Sequence, residues 1–332
     1  MPYRRVLKVM SQKDTNPFLF SDTNKRYYTY EYYLRRTFGG RVAKLPVDGG
    51  FTCPNIDGSC GTGGCIYCSG RGSGDFAPPP TLSITDQLEA GRRAIASKWK
   101  TEKYIAYFQA HTNTYAPVAE LENKFLEALS FPGVVGLNVA TRADCLGKDV
   151  VSLLSALAKR TSLTVELGLQ SADDKTARLI NRGHDFKTFT EGYGSLRRAD
   201  PKIGICVHLI FGLPGETREK MLDSVRRVAS LRPDQVKLHL LYVIKGTRLG
   251  DMYERGEYAP MEREDYIDTV AEALTLLPRE TVIARLTGDG APDTLLAPLW
   301  SRKKTCIVND IDKTLYAKNL WQGKKADVRS DT

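Results

Sequence analysis

Four of the chain's seven cysteines fall within sixteen residues, in the stretch 51–69, FTCPNIDGSCGTGGCIYCS. A chain that gathers so many thiols into one loop folds around whatever they bind. Cys65-Ile-Tyr-Cys68 is a C-x2-C hook, Cys53 and Cys60 stand upstream, and Gly58, Gly61, Gly63 and Gly64 let the backbone curl tightly. Cys53, Cys65 and Cys68 together read C-x11-C-x2-C, which leaves Cys60 over. A metal centre is the expectation, either an iron–sulfur cluster or a closed four-thiol zinc site. Structural zinc usually takes two such hooks where this loop has one. A disulfide cluster fits less well, because the cysteine count is odd and no secretory signal opens the sequence.

The 332 residues, 42% hydrophobic and 26% charged, can bury a large core as one big domain or two small ones. No apolar run approaches the roughly 18 residues of a membrane span, so a cytoplasmic protein without a membrane partner is expected. The net charge of +9 suits a polyanionic partner without naming one.

The segment Lys25–Arg41 places Tyr30, Tyr33, Leu34 and Phe38 at helical spacing, which predicts an amphipathic helix packing its aromatics on the body. Its tyrosines and basic residues also offer stacking faces and phosphate partners to single-stranded RNA. From Arg41 onward, apolar strands alternate with amphipathic helices, the pattern of a parallel sheet with crossover helices. Strands are predicted at 42–46, 104–109, 134–141, 163–170, 203–211 and 236–243, and helices at 83–99, 117–130, 148–159, 173–181, 216–231 and 262–277. Six βα units without a G-x-G-x-x-G fingerprint predict an α/β fold, an incomplete (β/α)6 TIM-like barrel spanning 42–290, with an N-terminal extension at 1–41 and a C-terminal extension at 291–332. In such a barrel the chemistry gathers at the carboxyl ends of the strands. Those ends are polar here: Gln109-Ala-His-Thr-Asn113, Thr141-Arg142, Glu166 to Gln170, and Phe211-Gly-Leu-Pro-Gly-Glu216.

Five stretches together carry a resemblance: KLPVDGGFTCPNIDG (44–58), YFQAHTNTY (107–115), ELGLQS (166–171), INRGHD (180–185) and RLTGDG (285–290). They resemble the YhcC/YtqA family of radical S-adenosylmethionine proteins, relatives of the radical domain of the elongator catalytic subunit, over about residues 27–323. The resemblance implies that Cys53, Cys65 and Cys68 hold a [4Fe-4S] cluster whose open iron takes S-adenosylmethionine, with Cys60 a bystander or a thiol that scrambles the site on oxidation. It implies that Gln170 and Arg182 meet the ribose hydroxyls and carboxylate of the nucleotide, with Glu166 also within reach of a ribose hydroxyl. Gly212 would let the adenine approach the backbone, and Gln109 or Asn113 would hold the amino group. No protein nucleophile is required, and no catalytic residue is assigned.

The implied reaction begins with an electron from an external donor such as flavodoxin or ferredoxin. The sulfonium is then cleaved, and the resulting 5′-deoxyadenosyl radical takes a hydrogen atom from the substrate. The family is linked to tRNA, so the implied partner is a tRNA anticodon loop and the implied target a wobble-uridine side chain, in the carboxymethylaminomethyl or aminomethyl branch. Acetyl transfer and methylthio transfer are not expected, the first because about forty residues follow Gly290, the second for want of a second cysteine cluster. Phosphate contacts are expected first at Arg302-Lys303-Lys304 and next at Arg26, Arg35 and Arg36. The alternatives are a basic RNA-binding protein with a structural metal, and a radical enzyme acting on a small molecule.

Overall fold

The computed structural model describes residues 16–72, 74–97, 100–288, 290 and 292–326. Trp99, Asp289 and the outer ends of the two expected extensions lie outside them. The first six strands are β1 Ala43–Val47, β2 Tyr104–Phe108, β3 Val134–Thr141, β4 Ser162–Gln170, β5 Gly204–Phe211 and β6 Gln235–Leu240. Each pairs in parallel with the next. Beyond β6 come the two-residue β7, Val243–Ile244, then β8, Val282–Arg285, and β9, Leu295–Ala297. β8 pairs in parallel with β6, making a seven-stranded sheet in simple sequence order, while β7 and β9 form a separate antiparallel ribbon. The seventh strand is absent from the sequence reading because four residues are too few to carry a periodic signal.

The helices are α1 Tyr30–Phe38, α2 Ile84–Ala96, α3 Val118–Ser130, α4 Lys148–Ala158, α5 Asp174–Leu179, α6 Phe186–Ala199, α7 Arg218–Ser230, α8 Arg248–Glu254, α9 Arg263–Leu276 and α10 Lys304–Ala317. The 173–181 crossover is therefore two helices. α6 was hidden because Thr188, Thr190, Gly192, Gly194 and Ser195 are poor helix formers; Asp185, which accepts from the Thr188 amide, caps it. None of the described helices is long and apolar enough to cross a membrane.

Lys44 on β1 and Lys237 on β6 both reach Glu166 on β4. Side chains from strands so far apart in the sheet can meet only if the sheet curls, so the architecture is an incomplete barrel. Outward residues such as Leu45, Val165, Leu167 and Val236 are fully buried beneath the helices. The gap between edge strands β1 and β8 is bridged by α1 and the residues before it. Tyr28 accepts the Ile283 amide at 2.8 Å, Thr29 bridges to Ile283, and Leu34 packs with Val42 and Ile105. The C-terminal residues lock this seam, since Gln322 accepts from the Tyr28 amide and donates to the carbonyls of Pro278 and Thr281.

Candidate functional site

Successive strand residues point to opposite faces, and the inward rows are polar. Every strand of the sheet supplies one polar or charged residue near the same level: Lys44, Tyr107, Asn138, Glu166, His208, Lys237 and Arg285. The strand register pairs Tyr107 with Asn138, His208 with Lys237, and Lys237 with Arg285. A closed barrel fills this space with branched aliphatics. Here the same space is a cavity of about 770 Å³, running from this polar ring to the cysteine loop.

At the cysteine end, Cys53, Cys65 and Cys68 all line the cavity, while Cys60 is exposed and does not. Among the described residues, no group of three or more His, Cys, Asp or Glu is placed to hold a metal ion. A single ion needs its donors about 2.0–2.3 Å from one centre, whereas a cluster takes each thiolate on a different iron and so tolerates wider spacing. The loop is held by specific contacts. Asn55 accepts from the Cys53 thiol at 2.8 Å, donates to Cys65 at 3.5 Å and donates to the Asn181 carbonyl at 3.0 Å. Asn181, in the left-handed region at φ 55°, donates to the carbonyls of Thr62 and Gly64. Thr112 donates to Cys53 at 3.2 Å. The Cys68 thiol donates to Cys65; that bond, with the Arg182 guanidinium nearby and against the effect of burial, pulls Cys65 well below the usual thiol range.

Arg182 stands between the cysteine loop and β4. Its guanidinium donates to the Gly168 carbonyl, and a Cβ on Gly168 would lie 2.8 Å from Gln170 Nε2 and 3.0 Å from Arg182 Nη2. The absence of a side chain at 168 is what lets Gln170 and Arg182 stand together. Gln170 itself is left-handed at φ 74°, where β4 slips register against β5. Arg182 Nε is buried without a hydrogen-bond partner among the described residues. Behind it, Arg142 pairs with Asp144 at 2.6 Å, donates to the Arg182 carbonyl at 2.8 Å and comes within 3.6 Å of the Cys60 sulfur.

Of the residues singled out in the sequence, Gln109, Glu166, Gln170 and Arg182 line the cavity and Asn113 and Gly212 do not. Asn113 is fully buried, and its amide donates to the carbonyls of Phe108, Ala110 and Ala140, stapling the β2 and β3 ends. Gly212 donates to the Met221 sulfur and accepts from the Tyr258 hydroxyl at 2.7 Å. Glu166 has both oxygens engaged: Lys44 at 2.9 Å and Asn138 at 2.7 Å on one, His208 at 3.0 Å and Lys237 on the other. Burial alone would raise its pKa, but Lys237 and Lys44 hold the carboxyl well below its usual range. Burial lowers Lys237 to about 8 against the pull of Glu166, and burial followed by Lys237 lowers His208 to about 4.

Lys44, Tyr107, His208, Lys237, His239 and Arg285 also line the cavity and were not singled out from the sequence. A signal was present: 235–240, QVKLHL, alternates polar and apolar, and 205–211, ICVHLIF, carries a histidine at its centre, where a strand covered on both faces should be continuously apolar. Arg302-Lys303-Lys304 is also divided. Arg302 and Lys303 are exposed, whereas Lys304 lines the cavity.

The profile of the Radical SAM superfamily matches residues 58–228, and that of the Radical_SAM C-terminal domain matches 233–317. This chain belongs to the radical SAM superfamily. It is 45% identical to YtqA of Bacillus subtilis over 309 residues, 93% of this chain and 95% of that one. It is 38% identical to YhcC of Escherichia coli over 283 residues, 85% and 90%. Methanocaldococcus infernus tRNA uridine(34) acetyltransferase is 31% identical over 159 residues, 47% of this chain but 29% of that protein. The solved structure of the archaeal Elp3 from the same organism, lacking its N-terminus, superposes with a TM-score of 0.65 at 20% identity, over 85% of this chain and 64% of that one, a likeness of fold. The radical SAM protein described here accordingly uses a [4Fe-4S] cluster and S-adenosylmethionine.

Proposed function

We propose that Cys53, Cys65 and Cys68 hold the cluster, that Gln109, Gln170 and Arg182 hold S-adenosylmethionine beside it, and that the enzyme modifies the side chain of a tRNA wobble uridine. The observation that carries the binding part is the unsatisfied Arg182 Nε, buried in the cavity wall next to the three thiols. A carboxylate placed there would complete a charge-assisted pair on a planar fork, which is the group the nucleotide brings. When bound, the cluster and the nucleotide supply a carbon radical able to abstract hydrogen. The protein's own residues bind, orient and exclude water. Asn55, Asn181 and Thr112 hold the loop, Gly168 makes room for the Arg182 fork, and α1 closes the open side of the barrel. The tRNA part of the reading is supported by the tRNA uridine(34) acetyltransferase relative and by the net charge of +9.

The test is anaerobic reconstitution with iron and sulfide, then reduction with dithionite in the presence of S-adenosylmethionine. 5′-Deoxyadenosine should form with the parent chain and not with Cys65→Ala. Nucleoside mass spectrometry of added tRNA should then show a mass change at position 34. A reconstituted protein that yields no 5′-deoxyadenosine overturns the enzymatic part, and 5′-deoxyadenosine with unchanged tRNA overturns the substrate.

A further inference from the structure

The inner end of the cavity lies beyond the cysteines and holds more positive charge than its walls neutralise. Lys44, Lys237 and Arg285 face it, and Glu166 is the one acid among the described lining residues of the polar ring. Glu166 is paired with both lysines. The Arg285 side chain makes no hydrogen bond or ion pair with a described residue, although it lines the same space. Burial keeps His208 and His239 neutral, so neither changes the charge of the ring. Lys44 and Lys237 each lie 4.7 Å from the centre of the Tyr107 ring, and Lys44 lies 4.6 Å from that of Tyr30 on α1, so both ammonium groups are fixed in place. Arg285 is half-buried, and a cation drawn out of water without a partner is costly unless an anion or water answers it.

We infer that this polar ring is a binding site for the oxyanion of a small-molecule cosubstrate, a carboxylate or phosphate held by Arg285, Lys44 and Lys237 beneath the nucleotide. The inference deepens the proposed function and rests on it only for the chemistry that follows binding. A nucleic-acid backbone fits the position poorly, because its phosphates lie along the outside of the polymer while this site sits inside seven strands. The cavity has space for more than the nucleotide: 770 Å³ is in the upper part of the ~300–1,000 Å³ range of ordinary ligand pockets. A cosubstrate anchored there would present its far end toward the cysteines, where a hydrogen atom can be taken from it.

Calorimetric titration of the cluster-loaded protein with acetate, malonate and inorganic phosphate at matched ionic strength, with chloride as reference, tests the site. Saturable binding of a carboxylate or of phosphate beyond the chloride reference is expected, and which of them binds identifies the source of the anion. Arg285→Gln and Lys44→Gln should each weaken binding about tenfold or more, while Lys202→Gln, on the exposed surface, should not. Arg285→Gln breaks no ion pair with a described residue, and its folding is checked by thermal melting. Absence of saturable binding, or equal affinity in folded Arg285→Gln, overturns the site. 5′-Deoxyadenosine is measured on the same samples. Its formation without anion binding sinks this inference alone, and anion binding without it sinks the radical reading and leaves the site standing.

Discussion

Cys60 differs from the three proposed ligands in its surroundings. It is exposed beside Arg142, outside the cavity, whereas Cys65 is buried and Cys53 and Cys68 face the cavity. Cys53→Ala, Cys65→Ala and Cys68→Ala should each lose the iron and the visible absorbance of the reconstituted protein, while Cys60→Ala should keep both. Iron content equal in all four variants would contradict this assignment. Gly168 tests the nucleotide side without touching a thiol. In Gly168→Ala the new methyl would sit 2.8 Å from Gln170 and 3.0 Å from Arg182, so both must move. Iron content should hold while affinity for S-adenosylmethionine falls by the equivalent of about 1.5–3 kcal/mol, the worth of a charge-assisted hydrogen bond. Unchanged affinity would mean that Arg182 does not bind the nucleotide.

At the scale of elements, α6 shows why a weak helix former can be required. A Cβ on Gly192 would lie 2.4 Å from the Ala143 carbonyl oxygen, where the helix crosses the turn that carries Arg142. A Cβ on Gly194 would lie 2.8 Å from Arg198 Nη1, the far end of a flexible side chain. Alanine at either position gains up to about 1 kcal/mol of helix propensity. At 192 the backbone clash should outweigh it, so Gly192→Ala should destabilise by about 1–3 kcal/mol while Gly194→Ala is neutral or stabilising. Urea midpoints of the two variants decide the matter, and equal midpoints would refute the close approach. The loop after α5 is comparably specific, because Asn181 and Asn55 tie it to the cysteine loop across more than a hundred residues of sequence.

Two consequences belong to the whole molecule. Burial keeps His208 near 4 and His239 well below its usual value, so both stay neutral in the folded barrel. In the unfolded chain they take up protons below about pH 6.5. The unfolded state therefore binds more protons between about pH 6.5 and 4, and stability must fall as the pH drops through that window, by up to about 1.4 kcal/mol per pH unit for each histidine. Denaturation midpoints at pH 7, 6 and 5 should decline steadily, with a shallower decline in His239→Gln; a flat parent profile would contradict the buried neutral state. The second consequence concerns tRNA. Because Lys304 lines the cavity, the exposed pair Arg302 and Lys303 is the cleaner probe of the surface. If both contact phosphates, replacing them with alanine should reduce the slope of log affinity against log salt by about 1 to 2. The same slope in the double variant would make this surface a solvated face.

The thiol loop and the βα alternation were legible in the sequence because both are local: spacing sets the hook, and period sets strand or helix. These sufficed for the incomplete barrel; the family came from the resemblance of five longer stretches. The seventh strand and α6 were not legible, since one is too short for periodicity and the other is formed against its propensities by packing on Ala143. The polar ring was present in the sequence only as scattered alternate residues of seven strands. The curl of the sheet places Lys44 on Glu166, 122 positions away, and Lys237 on the same carboxylate from 71 positions away. Asn113 and Gly212 stand outside the cavity despite their place at strand ends: backbone carbonyls take the Asn113 amide, and the Met221 sulfur and Tyr258 hydroxyl take the Gly212 backbone groups. Residue identity and spacing determined what chemistry the chain carries; closure of the sheet decided which side chains share one low-dielectric space, a matter no local pattern encodes.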